Sequence, residues 1–472
     1  MADKRENRYK YLFKNIGFLT IGNFSTKLLS FFLVPLYTSI LTTADYGSYD
    51  LVSTTVNLLI PILTLNIADG TLRYSIDNDT PKQDVFTISF QHCIAGFLAA
   101  LVLIGFNVWL GIFDTIVPYS GYLILMFAAT AMNNILSSFA RGIDKVKEVS
   151  IAGVFGSFTM ILLNIIFLVG LDLGLTGYFG ANILGVLTQV LFLIISMKAW
   201  KYLRFHTKNN VDVKEKMHKY SFPLIANNLA WWVNNASDRY MVTWICGVAE
   251  NGIYSVAYKI PSILSILQSI FQQAWTLSAV RDFNSKDRDT YFTRVYNMLN
   301  FILVIGCSGL IMFDKILARF LYANDFYVAW RYVSVLLMAM IFSGMANFIG
   351  GIFQAVGDTK IIMKSTLLAA SVNIVLNAIL IYFTGTIGAA IATMISNAIN
   401  WGVRLYRSRK YANLQIKLKR DIWVYILLII QSIILFTDLS VILMAAAEIA
   451  GFIIILLCYK HELQSIYAMV KK

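Results

Sequence analysis

Long apolar segments alternate with polar loops along nearly the whole chain, from about Ile16 to about Tyr459. Each segment holds roughly 17–28 mostly apolar residues, and about 20 such residues are enough to cross the ~30 Å hydrocarbon core of a bilayer. A helix is the natural form for a span, because it satisfies every backbone hydrogen bond internally. The pattern therefore predicts an all-α membrane protein with about 14 transmembrane helices.

Basic residues are distributed unevenly between the loops on the two sides. Of the 39 Lys and Arg residues, all but six lie in the N-terminus, in every second loop or in the C-terminus. Cytoplasmic loops carry such an excess of positive charge. We therefore predict a multi-pass protein of the cytoplasmic membrane with both termini inside. The six exceptions lie inside predicted spans or at one outer loop: Lys27, Arg239, Lys259, Lys315, Arg319 and Arg331.

Composition supports this interpretation and changes the meaning of the net charge. Apolar residues make up 58% of the chain and charged residues 14%, whereas soluble domains carry about 25% charged residues. The formal net charge of +13 is spread over the predicted cytoplasmic segments. Charge in that position meets anionic membrane lipids. We expect membrane lipids, and no nucleic acid, among the partners.

An internal repeat is visible when the sequence is shifted by 205 residues. Asn23 then falls on Asn228, and the loop from Ala44 to Tyr49 falls on the loop from Ala249 to Tyr254. Slightly larger shifts place Asn164 on Asn377 and Gly174 on Gly385. The matches keep their order across six predicted spans, as expected for a duplicated unit with small changes in loop length.

The repeat predicts the domain organisation. Two long basic loops, Lys198 to Lys219 and Arg404 to Arg420, divide the chain into six, six and two spans. We predict an N-terminal six-helix bundle over residues 1–205, a second over 206–410, and an extra two-helix unit with a cytoplasmic tail over 411–472. Because each bundle has an even number of spans, the two are parallel repeats related by an axis along the membrane normal.

Polar side chains recur at helical spacing in the first two spans of each half. A charge at the bilayer centre costs about 2.5–3.5 kcal/mol on insertion scales, so such groups are expected to face a cavity. We predict that nine of them bind substrate: Lys27, Arg239, Lys259, Arg73, Asn23, Asn228, Asn235, Gln272 and Trp275. Two carboxylates are candidates for ion coupling: Asp238 and Asp69.

Structural roles for the same residues remain open. Arg239 could simply pair with Asp238, Lys259 could extend to the membrane surface, and the asparagines could join helices. Glu448, alone in the last span, is expected to form a local structural pair. Pro61 is expected to interrupt the second span, because proline removes a backbone hydrogen bond and kinks a helix.

No catalytic constellation stands out. The chain has only four His, and it contains no phosphate-binding glycine loop and no HExxH or GxSxG motif. We expect no enzyme activity, no metal site and no cofactor. Without a nucleotide site, energy would have to come from a proton or sodium gradient, or from consumption of the transported product.

The chain resembles a known family at several places. A basic N-terminus precedes a first span that reads from Asn15 to Tyr37, followed by Ala44-Asp45-Tyr46-Gly47, and Gly357-Asp358-Thr359-Lys360 follows the tenth span. These features resemble those of the polysaccharide exporters of the multidrug/oligosaccharidyl-lipid/polysaccharide (MOP) superfamily. The resemblance implies a V-shaped pair of bundles around a cationic cavity. It also implies a flippase that moves an undecaprenyl-diphosphate-linked glycan from the inner to the outer leaflet, together with polymerase and glycosyltransferase partners.

Other functions are compatible with the same pattern. A flippase for the lipid-linked peptidoglycan precursor would share the fold and differ in the glycan. A multidrug antiporter would be expected to favour carboxylates in its cavity, whereas cations exceed anions inside the predicted spans here. A membrane glycosyltransferase or polymerase would carry a large outer loop with catalytic acids or arginines, and the longest outer loop, about 314–327, is short.

Overall fold

The computed structural model describes residues 31–77, 79–204, 210–460 and 462–464. Over these residues the chain is helical, with short 3-10 or π turns at a few helix ends and no β-strand. The packing divides the chain into two compact units, one up to Trp232 and one from Val233 onward.

In its described residues, the first unit contains seven complete helices and the first part of an eighth. Their bounds are α1 (Val34–Ile40), α2 (Thr43–Leu63), α3 (Ile67–Ile76), α4 (Lys82–Leu110), α5 (Ser120–Gly142), α6 (Val146–Asn164), α7 (Gly174–Met197) and α8 (Asn210–Cys246), which continues into the second unit. Its main apolar core includes Val56, Ile88 and Phe127, from three different helices.

The described part of the second unit contains the rest of α8 and nine further helices. These are α9 (Val248–Ala257), α10 (Pro261–Asp282), α11 (Arg288–Met312), α12 (Asp314–Leu321), α13 (Trp330–Val356), α14 (Thr359–Thr384), α15 (Thr386–Ser408), α16 (Leu418–Ile434) and α17 (Val441–Cys458). α13 is central, because 78% of its apolar stretch is buried and it packs against α10, α11 and α15. By contrast, only 11% of the apolar stretch of α17 is buried, as expected for a helix that faces lipid.

The helices agree with the predicted membrane fold. Eight helices in the described part of the chain are long and apolar enough to cross a membrane, or nine if the bent pair α2 and α3 counts as one span. The more polar α8 and the 17-residue α16 are not among them. The prediction of an all-α membrane protein is confirmed, and about fourteen crossings fit the order of the helices.

The second span is interrupted, as Pro61 predicts. Pro61 lies in the last turn of α2, and α3 leaves at an angle of 58° after a break at residues 64–66. Leu65 and Asn66 have φ values of 52° and 51° in this break. Positive φ is uncommon for residues other than glycine, so the surrounding contacts hold this bend in place.

Positions matched by the repeat have matching local structure. Asp45 and Glu250 each occupy the third position of a helix, α2 and α9 respectively. Gly174 and Gly385 both adopt positive φ, 51° and 69°, where a helix begins. The two units thus share details that lie far apart in sequence.

Two expectations about boundaries differ from the structure. α16 and α17 lie in the second compact unit, and the extra two-helix unit over residues 411–472 stays a prediction. The boundaries at 205 and 410 describe the repeat and stay predictions. The region predicted as one eighth span is two helices, because Pro261 starts α10 after a break at residues 258–260. Arg404, placed in a cytoplasmic loop by its charge, lies inside α15 and is only 4% exposed.

Candidate functional site

The break in the second span presents a small polar group within the first unit. Asn66 is buried, and its side-chain amide donates to Asp69 Oδ2 at 2.8 Å. Asn228, on α8, donates to Asn66 Oδ1 at 3.0 Å. One turn further along α8, Trp232 Nε1 donates to the backbone oxygen of Thr54 at 3.1 Å. Thus α8 is joined to the interrupted span by polar contacts on one face.

Two arginines near this break have different surroundings. Arg141, on α5, is the cation that interacts electrostatically with Asp69. Arg73, on α3, is exposed and acts on Asp77 beyond the end of the helix. Of the predicted residues, the structure therefore brings Asn228 and Asp69 together through Asn66, whereas Arg73 lies on the surface of the unit.

Asp238 is only 3% exposed, the lowest exposure among the predicted charged groups that the structure describes. Its Oδ2 accepts hydrogen bonds from the hydroxyls of Tyr254 at 2.7 Å and Tyr258 at 3.1 Å, both on or directly after α9. Its Oδ1 accepts from the backbone N–H of Arg239 at 3.0 Å. The two tyrosine hydroxyls are 3.1 Å apart.

This arrangement fits an ionised carboxylate. An ionised Asp only accepts hydrogen bonds, and each of the three contacts can supply a donor. Hydrogen bonds to a charged acceptor are about twice as strong as neutral ones. Protonation of Asp238 would remove its negative charge and turn one acceptor oxygen into a donor.

The predicted cations of this region lie beside the same cluster. The guanidinium carbon of Arg239 is 5.5 Å from the ring centroid of Tyr258, a cation–π distance. Lys259 follows Tyr258 directly and is half-buried in the break before α10. Asp238, Arg239 and Lys259 are thus brought to one short stretch of the second unit.

Gln272 and Trp275 lie further along α10 and have different surroundings from each other. Gln272 is half-buried and donates to Thr276 Oγ1 at 3.2 Å. Trp275 is 2% exposed, donates from Nε1 to the backbone oxygen of Phe348 at 2.7 Å, and stacks on the Phe348 ring at 4.1 Å. The Trp275 side chain packs between α10 and α13.

For three of the predicted residues, the surroundings of the side chain are not described. Lys27 and Asn23 lie outside the described residues, and so does the side chain of Asn235. Substrate binding by the nine predicted residues and ion coupling by Asp238 and Asp69 stay predictions.

Sequence reasoning missed the partners that organise both clusters. In the sequence, nothing distinguishes Asn66 from other asparagines in apolar segments. In the structure, the break in the second span places it between Asp69 and Asn228. Tyr254 and Tyr258 are four residues apart, and this spacing puts them on one helical face. The spacing alone indicated a polar stripe, but not that both hydroxyls converge on Asp238.

Comparison with known families adds an independent observation. The sequence model of the family described as "Polysaccharide biosynthesis protein" matches residues 12–276, more than half of the chain. A second family model, described as MatE, matches residues 223–379. A probable low-salt glycan biosynthesis flippase, Agl15, of Haloferax volcanii is 23% identical over 194 residues. That match spans 39% of this chain and 40% of the relative's length.

Solved structures share the fold over much more of the chain. The lipid II flippase MurJ, in an inward closed conformation, superposes with a TM-score of 0.70 at 14% identity and covers 94% of this chain and 98% of its own. An inward-facing multidrug resistance MATE transporter of the MOP superfamily superposes with a TM-score of 0.68 at 15% identity, covering 82% and 94%. At identities this low, these superpositions show a shared fold and nothing more.

Proposed function

The chain belongs to the polysaccharide biosynthesis protein family, and from this premise we propose that it is a flippase for lipid-linked oligosaccharides. The proposed substrate is an undecaprenyl-diphosphate-linked repeat unit of a surface polysaccharide. The proposed step moves that unit from the inner to the outer leaflet of the cytoplasmic membrane by alternating access. A glycosyltransferase would supply the substrate and a polymerase would consume the product.

The observation that carries this proposal is the chemistry of the polar groups inside the spans. A lipid-linked glycan combines an anionic diphosphate, a very polar sugar and an apolar tail that can stay in lipid. Guanidinium groups bind phosphate oxygens in a bidentate way, and Arg239 lies beside the Tyr254–Tyr258 pair. The amide groups of Asn66 and Asn228 are suited to sugar hydroxyls.

A flipping assay with three head groups tests the substrate class. Purified protein would be reconstituted in liposomes with a fluorescent lipid-linked oligosaccharide, with a fluorescent lipid-linked peptidoglycan precursor, or with a cationic dye. We expect the oligosaccharide to cross at least about tenfold faster than in protein-free liposomes, a difference of about 1.4 kcal/mol. Transport of the dye alone would contradict the proposal.

The second candidate is a flippase for the lipid-linked peptidoglycan precursor. It is favoured by the superposition on the lipid II flippase MurJ, which covers 94% of this chain. The diphosphate and polyprenyl tail are common to both substrates, so the same cations would serve. Faster flipping of the peptidoglycan precursor than of the oligosaccharide would select this candidate.

A multidrug antiporter is the third candidate, because the MatE model and several MATE structures match the chain. Asp238 is the buried carboxylate that a cationic drug would require. Three hydrogen-bond donors already stabilise its negative charge, so it needs a cationic partner less. We therefore rank this function below the two flippases.

We propose that the protein acts as a carrier and not as an enzyme, and that it uses no cofactor. Mass spectra of the substrate recovered from both leaflets are expected to be identical, since no bond is made or broken. A new covalent product that depends on the protein would contradict this part of the proposal.

Energy coupling is proposed to occur at Asp238. Protonation would remove the negative charge of Asp238 beside Arg239, so that the guanidinium would attract the diphosphate more strongly. Flipping would be measured with an imposed proton gradient, an imposed sodium gradient and none. We expect one gradient to accelerate the wild type and to have no effect on Asp238→Asn, whereas Asp69→Asn keeps its response. Equal rates under all three conditions would reject ion coupling, and loss of the response in Asp69→Asn alone would move it to Asp69.

A further inference from the structure

A short helix, α12, connects two membrane-spanning helices at one end of the second unit. The last charged residue of α11 is Arg294, and the about 18 residues from there to the end of the helix rise about 27 Å at 1.5 Å per residue. That rise nearly crosses the ~30 Å hydrocarbon core, so α12 begins close to the edge of the core. α13 begins with Trp330, a residue type enriched at the membrane–water interface. Both neighbours therefore place α12 at one membrane surface, which the loop charges predict to be the outer one.

The two faces of α12 differ in their surroundings. Three residues on one face are buried against the second unit: Asp314, Ala318 and Leu321. Three apolar residues lie on the other side and are exposed: Phe313 at 49%, Ile316 at 64% and Phe320 at 66%. Residues three or four positions apart share a helical face, and the two sets are offset by half a turn. A short helix with one apolar face directed away from the protein is suited to lie in the interface of a bilayer.

Basic residues border the exposed apolar face. Arg319 precedes Phe320 and is exposed, and Arg331 is exposed at the start of α13. Both are among the six basic residues that depart from the predicted cytoplasmic distribution. Of the two acids between α11 and α13, Asp314 is buried and only Asp325 is exposed. The exposed charge beside the apolar face is therefore positive, and it complements the negative charge of lipid phosphate groups.

Contacts with three other helices hold α12 in this position. The ammonium of Lys315 lies 4.6 Å from the centroid of the Trp330 ring and 3.7 Å from Met444 Sδ. The Trp330 ring packs against Phe436, just after α16, with centroids 5.1 Å apart. Met444 lies in the first turns of α17, where Ile442 is 82% exposed. The exposed apolar surface of α12 thus lies beside that of α17, the helix that faces lipid.

We propose that α12 is an interfacial helix that binds anionic phospholipid. Phe313, Ile316 and Phe320 enter the boundary between head groups and acyl chains. Arg319 and Arg331 bind phosphate oxygens, for which the guanidinium fork provides paired donors. The position of α12 between two spans and beside α17 favours lipid over a protein partner. This surface lies outside the Asp238 cluster and does not depend on the substrate proposed above.

Fluorescence quenching in lipid nanodiscs tests the location of α12. The four native cysteines are free and would be replaced, and one environment-sensitive fluorophore would be attached at Phe320→Cys or, as the matched control, at Asp325→Cys. With phosphatidylcholine spin-labelled near its head group, we expect quenching at position 320 to be at least about twofold stronger than at position 325. Iodide in the aqueous phase should quench position 325 more strongly.

Two results of this measurement would overturn the proposal. Quenching of position 320 by iodide and not by the labelled lipid would show that the apolar face lies in water. Protection of position 320 from both quenchers would show that a protein, either a partner or a second copy of this chain, covers the face.

The same fluorophore tests the preference for anionic lipid. Spin-labelled phosphatidylglycerol and spin-labelled phosphatidylcholine would be compared at the same low mole fraction in phosphatidylcholine nanodiscs. At low ionic strength we expect phosphatidylglycerol to quench position 320 at least about twofold more strongly, because each basic residue near the surface attracts anionic lipid. The difference should disappear in Arg319→Gln/Arg331→Gln and persist in Arg407→Gln, at an exposed arginine after the buried Arg404. Equal quenching by the two lipids without these substitutions, or an unchanged difference in the double variant, would overturn the proposal.

A measurement on the unsubstituted protein decides the question if the cysteine-free protein does not fold. Phosphatidylglycerol with a photoreactive group near its head group would be added to the nanodiscs and activated by light. Mass spectrometry of the digested protein is expected to find lipid adducts within residues 313–320. Adducts on other surfaces with none in this segment would overturn the proposal.

Discussion

At the scale of single residues, hydroxyl groups surround two charged side chains of the second unit. Tyrosine hydroxyls bind Asp238, and Ser365 and Thr366 accept from the buried guanidinium of Arg404. Neutral partners can exchange without leaving a second charge buried, whereas breaking a buried ion pair leaves one uncompensated. Such sites are therefore suited to a carrier whose contacts must change during transport.

Arg239 is expected to be needed for flipping. We predict that Arg239→Ala lowers the rate of oligosaccharide flipping at least about tenfold, because a charge-assisted hydrogen bond is worth about 1.5–3 kcal/mol. Arg239→Lys should retain part of the rate, since lysine keeps the charge but lacks the bidentate geometry. Arg407→Ala, at an exposed position, is the control in the liposome assay. A wild-type rate in Arg239→Ala at matched reconstitution would remove Arg239 from the substrate site.

Arg404 is expected to stabilise the fold rather than to bind substrate. It donates from Nε to Ser365 Oγ, from one terminal nitrogen to the Ala346 backbone oxygen, and from the other to Thr366 Oγ1. We predict that Arg404→Ala lowers stability by about 2 kcal/mol, because buried acceptors lose their donor. Thermal melting in detergent measures the change, with Arg407→Ala as the exposed control on the same helix. Equal melting temperatures for the two variants would contradict the prediction.

At the scale of elements, α6 and α7 of the first unit meet at two glycines. A Cβ atom at Gly156 on α6 would lie 2.7 Å from the backbone oxygen of Gly185. A Cβ atom at Gly185 on α7 would lie 2.8 Å from Met160 Cβ. Small residues allow helix backbones to approach closely inside membranes, where packing replaces the hydrophobic effect as the main attraction. These glycines therefore set the distance between α6 and α7.

Adding a methyl group at this crossing is expected to push the helices apart. We predict that Gly156→Ala and Gly185→Ala each cost about 1–3 kcal/mol, the usual range for overpacking. Gly105→Ala on α4 meets nothing within 4 Å, so it should be neutral or slightly stabilising. Melting temperatures of the three variants in one detergent test this. The same shift in all three would mean that the crossing tolerates a larger residue.

At the scale of the whole molecule, the sequence allowed more of the fold than of the site to be predicted. Apolar length is a property of whole segments, so the all-α membrane fold followed from it. The kink near Pro61 followed from one residue, because proline removes a backbone hydrogen bond. Burial of Arg404 could not be read from its charge, because three acceptors from α13 and α14 compensate it. The enclosure of Trp275 likewise depends on Gly351, where a Cβ would lie 2.5 Å from Trp275 Nε1.

The orientation of the whole chain remains a prediction from the loop charges, and thiol labelling tests it. The four native cysteines would first be replaced, since all are free. Single cysteines would then be placed at two exposed positions, Val211→Cys near the start of α8 and Ala44→Cys near the start of α2. An impermeant reagent applied to intact cells is expected to label position 44 and to leave position 211 unlabelled until the cells are opened. The reason is that translocating the basic segment around residue 211 is disfavoured. Labelling of position 211 in intact cells, with protection of position 44, would show that the orientation is the reverse of the predicted one. The proposed step would then run from the outer leaflet inward.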